Sequence, residues 1–294
     1  MDALHIHAKV VNCCFGNGTQ WISRYQYLAP VSGNSFHSIP ETTVKCFLLF
    51  INFFILTIIM LFLRSLIFYI GMFLALLIWG VALRLFIIPL SSKRRYAIII
   101  RWSYFVVWWL EQTCQVKYEV RGLENIPSVP TVVLSKHQSE WETYVFQKIF
   151  PRQTGVVKRE LLWIPLFGWL LANVKPIAIN RKNSYQSLQQ LVKQGKQRLA
   201  QGLWIIIYPE GTRVRPNEKK RYGVGGAMLA AKAGCPVLPV AHNSGSFWLR
   251  NRFIKKPGVI KIVIGPIIEP DGKTTREINA LAEKWIEETM LGLE

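Results

Sequence analysis

A histidine and a glutamate, separated by four residues, form the most reactive pair in this sequence. His137 and Glu142 follow Thr131–Leu134, an apolar segment whose length and β-branched residues predict a buried strand. A histidine titrates near neutral pH and can remove a proton from a hydroxyl group as a general base. A nearby carboxylate can orient the imidazole. Because α/β proteins usually place their chemistry where strands end, the pair predicts an acid–base site.

The two side chains can meet only if a turn and the start of a helix lie between them. Positions 137 and 142 are about 140° apart around an ideal helix, so they cannot share one helix face. Ser139 followed by Glu142 predicts a capping box with Ser139 as the N-cap, which places His137 in the turn before the helix. The same pattern supports a simpler interpretation, in which Glu142 only caps the helix and His137 has no catalytic role.

A second polar segment follows the most apolar predicted strand, Leu203–Tyr208. Gly211 permits close approach of the backbone to a ligand, and Thr212 offers a hydroxyl group and a backbone donor. Arg213 can bind a phosphate group through two parallel hydrogen bonds. The basic residues that follow Arg213 also fit a solvated surface loop.

A third segment, Lys158-Arg159, follows the predicted strand Thr154–Val157. These two cations can face the same anion as Arg213.

The elements around these segments predict an α/β fold, with a mostly parallel sheet flanked by helices. Strand patterns alternate with helical periodicity from residue 116 onward. The other predicted strands are Val116–Val120, Pro176–Ile179, Pro236–Val240 and Val259–Ile264. The predicted helices are Asn183–Gln201, Gly225–Ala233 with Gly234 as its stop, and Thr274–Met290.

Residues 44–90 are almost wholly apolar and predict membrane-embedded helices. Leu66–Leu83 is the cleanest stretch, and as a helix of roughly 27 Å it just reaches across a bilayer core. The whole run is too long for one span. Arg64-Ser65 therefore marks a turn between two membrane segments, or one of the two segments is not embedded. The aromatic stretch Trp102–Trp109 fits either an interfacial belt or a helix packed on the core.

Composition indicates a membrane surface as the partner. The net charge is +19, the pI is near 9.9 and the mean hydropathy is +0.22, which together favour an anionic membrane over nucleic acid. No nucleic-acid recognition motif occurs. Five cysteines in no disulfide framework indicate reduced thiols in a cytosolic compartment. The N-terminal residues His5, His7, Cys13 and Cys14 match no usual zinc spacing, so no metal site is predicted.

Taken in order, these motifs resemble those of the glycerolipid acyltransferase family, most closely its bacterial 1-acyl-sn-glycerol-3-phosphate acyltransferases. The family's first motif is a histidine followed, after four residues, by an acid. His137–Glu142 is similar to it, although the acid is more commonly aspartate in the family. The second resembles Lys158–Gly168, the third Glu210–Arg213 and the fourth Val237–Val240. The resemblance extends from about residue 60 to the C-terminus.

The resemblance implies a chemistry. His137 would take the proton from the sn-2 hydroxyl of lysophosphatidate, and Glu142 would orient its imidazole. The acyl donor would be a thioester of acyl carrier protein or coenzyme A, with no metal and no other cofactor. Arg213, with Gly211, Thr212 and either Lys158 or Arg159, would hold the phosphate, while Glu210 would order the loop.

Composition, hydropathy and the resemblance together predict how the chain is organised. Residues 1–43 are expected to form a poorly ordered extension, 44–90 the membrane segments, and 91–294 the catalytic domain. That domain would face the cytoplasm at the bacterial inner membrane, since Lys93–Arg95 follow the apolar run. Met60–Ser65 resembles the N-terminus of proteins in this bacterial subgroup, which predicts that residues 1–59 are an upstream extension. Leu161–Leu171 fits either an acyl-tunnel wall or core packing.

The residues themselves leave three alternative functions open. Another acceptor is possible within the same family: glycerol 3-phosphate, a lysophospholipid or an ornithine-type lipid. A membrane-bound esterase would use Ser135 or Ser139 as its nucleophile, but no Gly-x-Ser-x-Gly elbow surrounds either serine. A non-catalytic membrane scaffold would leave His137 and Arg213 without a role.

Overall fold

The structure is a computed structural model that describes residues 41–82, 85–86, 89–180 and 183–293. The expectations for residues 1–40, including the zinc alternative, lie outside the described residues. The chain divides into two units, residues 1–52 and 53–294. In the first unit the described residues belong to the start of one helix. The second unit holds the rest of that helix and all the elements that surround the candidate site.

A seven-stranded sheet forms the centre of the second unit, with the order β1-β7-β6-β2-β5-β3-β4. Its strands are β1 (Val116–Arg121), β2 (Val132–Ser135), β3 (Gln153–Lys158), β4 (Ile177–Ile179), β5 (Trp204–Ile207), β6 (Val237–His242) and β7 (Gly258–Ile264). The five neighbouring strands β6, β2, β5, β3 and β4 are parallel to one another. Strand β7 is antiparallel to β6 and parallel to β1. The predicted mostly parallel α/β sheet is therefore confirmed.

Helices cover both faces of the sheet and create two cores. The helices are α1 (Glu41–Ala82), α2 (Ser92–Cys114), α3 (Trp141–Ile149), α4 (Phe167–Asn173), α5 (Ser184–Ala200), α6 (Gly225–Ala233) and α7 (Thr275–Leu291). One core joins α2 and α3 to the sheet, and the other joins α5, α6 and α7 to its opposite face. The strands and helices predicted from residue 116 onward all occur, with ends within two residues of those predicted.

Local signals explain why these helices end and begin where they do. Gly234 ends α6 in the left-handed conformation, with φ 62°, where a side chain would be strained. Thr274 begins α7 with a complete capping box, because its hydroxyl accepts from the Glu277 amide and the Glu277 carboxylate accepts from the Thr274 amide. Both boundaries are therefore determined by nearby residues.

The turn at Arg64-Ser65, one of the two alternatives that the sequence left open, does not form, because α1 is one continuous helix of 42 residues. At 1.5 Å per residue it is about 63 Å long. The Ser65 hydroxyl donates to the Leu61 carbonyl one turn earlier, so a polar residue is accommodated without a break. The same hydroxyl accepts from the amide of Lys255 at 2.9 Å. Ser65 therefore connects α1 to the loop before β7.

The apolar surface of α1 is used in two ways. Within the described residues, Phe47–Ala82 is the one helix long and apolar enough to cross a membrane. Its earlier side chains are exposed, whereas Phe68 and Ala75 are buried in a core shared with α2. One face of the stretch predicted as the cleanest membrane segment thus packs against protein.

The aromatic stretch Trp102–Trp109 of α2 is partly packed on the core and partly exposed, so it has features of both predicted alternatives. Trp102 is buried in the core, whereas Trp108 is half exposed. Trp109 donates to the carbonyls of Ile67 and Phe68 in α1, at 3.3 and 3.2 Å. The stretch therefore packs the two helices together and leaves one tryptophan on the surface.

Candidate active site

Three polar segments singled out in the sequence lie at one edge of the sheet. His137 follows β2, Glu210–Arg213 follows β5, and Lys158 ends β3. These strands are parallel neighbours in the order β2-β5-β3, so their carboxyl ends share an edge. This is the edge at which parallel sheets commonly bind ligands.

His137 and Glu142 are in direct contact. The imidazole Nδ1 lies 2.8 Å from Glu142 Oε1. His137 lies in the turn after β2 and Glu142 in the first turn of α3, as their spacing requires. Because Nδ1–H donates to the carboxylate, Nε2 carries the lone pair. The ring stacks on Tyr208 at a centroid distance of 3.9 Å, which limits its rotation.

The Glu142 carboxylate is fully buried and saturated with donors. Oε1 also accepts from the backbone amides of Gln138 and Ser139, each at 3.0 Å. Oε2 lies 2.5 Å from the Ser139 hydroxyl and 3.1 Å from the Ser244 hydroxyl. Burial alone would raise the pKa of Glu142, but the surrounding imidazoles and the Ser139 hydroxyl outweigh it and lower the pKa to about 2. Glu142 is therefore an anion at neutral pH.

The prediction that Ser139 is the N-cap is wrong, because α3 begins at Trp141 with Glu140 as its N-cap. The Ser139 hydroxyl accepts from the Trp141 amide two residues later, at 3.1 Å, and donates to Glu142. Of the two hydrogen bonds of the predicted capping box, only the one from the Ser139 amide to the Glu142 carboxylate forms. The same carboxylate accepts from the Ser139 amide and contacts His137, and its catalytic role stays a prediction.

Glu210 organises the backbone around His137. Its Oε2 accepts from the His137 amide at 2.8 Å, and its Oε1 pairs with Lys136 Nζ at 3.1 Å. The Val214 amide donates to the His137 carbonyl at 2.8 Å. Burial raises the pKa of Glu210 to about 7, although Lys136 partly offsets this. The arrangement agrees with the predicted loop-ordering role, which remains a prediction.

Lys136 extends this arrangement to the C-terminal helix. Its ammonium group also pairs with Glu287 of α7, at 2.8 Å, and Tyr222 donates to the same carboxylate oxygen at 2.9 Å. Burial lowers the pKa of Lys136, but Glu210 and Glu287 outweigh it, so the net shift is upward. Lys136 is not among the site residues predicted from the sequence, although a lysine next to His137 at a strand end was a usable signal.

Arg213 lies beside the first motif. Its Nη1 contacts the Glu140 carboxylate, in the loop between His137 and Glu142, and both side chains are partly exposed. The Arg213 carbonyl accepts from Arg250 Nη1 at 2.7 Å. The structure therefore brings together the loops that carry the predicted base and the predicted phosphate-binding residue.

The other predicted phosphate-binding residues lie at the same edge. Gly211 has φ 68° in a turn that its amide closes onto the Tyr208 carbonyl, and Thr212 is half buried beside it. Lys158 and Arg159 are exposed at the end of β3. Within the described residues, neither forms an ion pair with the other predicted site side chains.

Comparison with known proteins identifies the family. A sequence model of the acyltransferase family matches residues 117–243. The chain is 44% identical over 232 residues to the 1-acyl-sn-glycerol-3-phosphate acyltransferase of Pseudomonas aeruginosa, covering 77% of this chain and 90% of the relative. The chain belongs to the 1-acyl-sn-glycerol-3-phosphate acyltransferase family.

More distant members agree. The human 1-acyl-sn-glycerol-3-phosphate acyltransferase alpha is 28% identical over 172 residues, which are 58% of this chain and 61% of the relative. The crystal structure of the 1-acyl-sn-glycerophosphate acyltransferase of Thermotoga maritima has a TM-score of 0.66 at 24% identity, covering 78% of this chain and 94% of that one. This last likeness supports the fold.

The serines that an esterase would need are not exposed in this member of the acyltransferase family. Ser135 is fully buried and donates to the Lys136 carbonyl at 2.9 Å. Ser139 is fully buried and bonded to Glu142. Among the residues that the structure describes, no group of three or more His, Cys, Asp or Glu side chains could hold a metal ion.

We expect the Glu142→Gln variant to lose less stability in acid than the parent protein. A carboxyl whose pKa falls from 4.5 to about 2 on folding adds stability above pH 4.5 and loses it as the pH falls through about 2. The free energy of unfolding of the detergent-solubilised proteins, measured from pH 6 to pH 3, should decline less in the variant.

The matched control is Glu288→Gln, which removes a charge from an exposed glutamate of α7. It should leave the pH dependence of the parent unchanged. Parallel curves for Glu142→Gln and the parent would contradict the buried ionised state of Glu142.

Proposed function

We propose that this chain transfers a fatty acyl group from an acyl thioester to the sn-2 hydroxyl of 1-acyl-glycerol 3-phosphate, giving phosphatidate. The observation that carries the proposal is the His137–Glu142 contact at the edge where Arg213 also lies. The name and the extensive coverage of the Pseudomonas relative support this acceptor. A general base beside a phosphate-binding arginine fits a substrate that carries both a hydroxyl and a phosphomonoester.

His137 is the proposed general base. Its Nε2 takes the proton of the acceptor hydroxyl while the oxygen attacks the thioester carbonyl. The new C–O bond forms, the C–S bond breaks, and the departing thiolate takes the proton from the imidazolium. Glu142 stabilises the imidazolium through the 2.8 Å contact to Nδ1. The base is thus regenerated in each cycle without any other cofactor.

Arg213 is the proposed phosphate-binding residue. Arg213 is paired with Glu140, and both groups are partly exposed. An exposed pair of this kind contributes only about 0–1 kcal/mol, so a doubly charged phosphate can replace the carboxylate. The backbone at Gly211 and Thr212 leaves room for the phosphate, and Lys158 and Arg159 add positive charge at the same edge.

The donor and the location are part of the proposal. Acyl carrier protein and coenzyme A present the same thioester, and a chain of net charge +19 attracts either of these anionic carriers. The same charge favours an anionic membrane surface. We place the catalytic unit on the cytoplasmic side of a bacterial inner membrane, because Lys93–Arg95 follow the apolar helix.

We expect purified membranes that contain the parent chain to acylate lysophosphatidate faster than glycerol 3-phosphate or lysophosphatidylethanolamine. His137→Ala should lower this rate about 100-fold or more, because it removes the base. Product formation from a labelled acyl thioester measures both, and circular dichroism checks the fold of the variant. Preference for another acceptor would contradict the substrate. Parental turnover by His137→Ala would contradict the base.

Replacing Arg213 should affect the acceptor rather than the donor. We expect Arg213→Ala to raise the KM for lysophosphatidate about 10-fold, because a charge-assisted hydrogen bond to the phosphate is lost, and to change the donor KM less than 2-fold. Arg215→Ala removes the same charge from an exposed position two residues away and is the matched control. Equal changes in both KM values would exclude the phosphate-binding role.

A further inference from the structure

The end of β6 contacts the His137 loop from the side opposite to Glu210. β2 pairs with β5 on one side and with β6 on the other. Beyond β6 a short 3-10 turn, Ser244–Ser246, contacts the first motif. Ser244 Oγ lies 3.1 Å from Glu142 Oε2, and the Gly245 amide donates to Gln138 Oε1 at 3.0 Å. Ser244 lies just outside the family match, residues 117–243.

The protons of the two serine hydroxyls can be counted. Ser139 Oγ accepts from the Trp141 amide and donates its single proton to Glu142 Oε2. Ser244 Oγ lies 2.8 Å from Ser139 Oγ and 3.1 Å from Glu142 Oε2, so its proton goes to one of these two acceptors. In the first case Ser244 polarises the Ser139 hydroxyl, and in the second it binds the carboxylate directly. Both arrangements stabilise Oε2 as an anion.

A second histidine fixes the position of Ser244. His242 is fully buried, and its Nε2 lies 2.9 Å from the Lys136 carbonyl. Its Nδ1 accepts from the Ser244 amide at 3.4 Å. This pattern requires the neutral tautomer protonated at Nε2. Burial lowers the pKa of His242, although the charge of Glu142 opposes this. The imidazole therefore bridges the backbones on either side of the site.

We infer that Ser244 is a positioning residue for the proposed reaction, holding Glu142 Oε2 so that Oε1 stays directed at His137 Nδ1. The inference rests on the proposed function. Ser244 adds a second hydroxyl at Oε2 beside that of Ser139, which further restricts rotation of the carboxylate as the imidazole gains and loses its proton. Ser244 acts through Glu142 and needs no contact with the substrate.

The test compares Ser244→Ala, Ser244→Cys and Ser244→Thr with the parent in the acyl-transfer assay. Alanine removes the donor, cysteine keeps the shape with a weak donor, and threonine keeps the hydroxyl. We expect alanine and cysteine to lower kcat about 10-fold, as for a lost hydrogen bond to a charged group, and to change either KM less than 2-fold. Threonine should recover most of the activity. Ser246→Ala, in the same turn, is the matched control.

The pH profile separates positioning from a purely structural role. Titratable groups around Glu142 include His137, His242 and Tyr208. Loss of a donor raises the pKa of Glu142 and the proton affinity of the His137–Glu142 pair. The acid limb of kcat/KM should therefore move to higher pH in the alanine and cysteine variants and remain in place in Ser246→Ala.

Two results would overturn the inference. One is a kcat within 2-fold of the parent for both the alanine and cysteine variants. The other is a lower kcat with an unmoved acid limb and no recovery by threonine, which would indicate packing alone. The assay uses whichever acceptor the parent turns over fastest. The activity of the parent thus tests the proposed function, and the ratio of variant to parent tests Ser244.

Discussion

The buried carboxylate of Glu142 is the group on which the rest of the site depends. A bare carboxylate in an apolar interior costs several kcal/mol, so it is stable there only when surrounded by donors. Two backbone amides, two serine hydroxyls and the imidazole of His137 supply them. The donors come from the loop after β2 and the turn after β6, and the carboxylate itself comes from the start of α3. Their convergence on one anion fixes three segments of the chain.

The sheet makes that convergence possible. Since β6, β2, β5 and β3 are parallel neighbours, the loops at their carboxyl ends lie side by side. Glu210 from the β5 loop binds the His137 amide, and Lys136 connects Glu210 to Glu287 of α7. The histidine is thus held by its side chain through Glu142 and by its backbone through Glu210. The partly exposed Arg213–Glu140 pair is the part of the site that a ligand can displace at low cost.

Much of the fold could be predicted because its signals are local. Apolar runs and turn residues located the strands and helices, and the spacing of His137 and Glu142 indicated a turn followed by a helix. The start of α3 was missed because Ser139 is drawn towards Glu142 and Ser244, a contact that depends on a residue more than 100 positions away. The sequence left open whether the apolar run breaks at Arg64-Ser65, because one helix over the whole run is too long for a single membrane span. In the structure the helix continues, and Ser65 satisfies its hydroxyl within the helix and against Lys255. Ser244 gave no local pattern, since its partners come from distant elements, whereas the only local signal for Lys136 was its position next to His137 at a strand end.

Imidazole nitrogen NMR of the histidine-labelled protein in detergent tests directly whether Glu142 orients His137. We expect Glu142 to hold His137 in the tautomer protonated at Nδ1, with the lone pair on Nε2, at a pH of full activity. His242 should show the opposite tautomer, and the His137→Ala variant assigns the signals among the five histidines. Loss of the Nδ1-protonated tautomer in Glu142→Gln would agree with the account. A His137 protonated at Nε2 in the parent, or unchanged by Glu142→Gln, would contradict it.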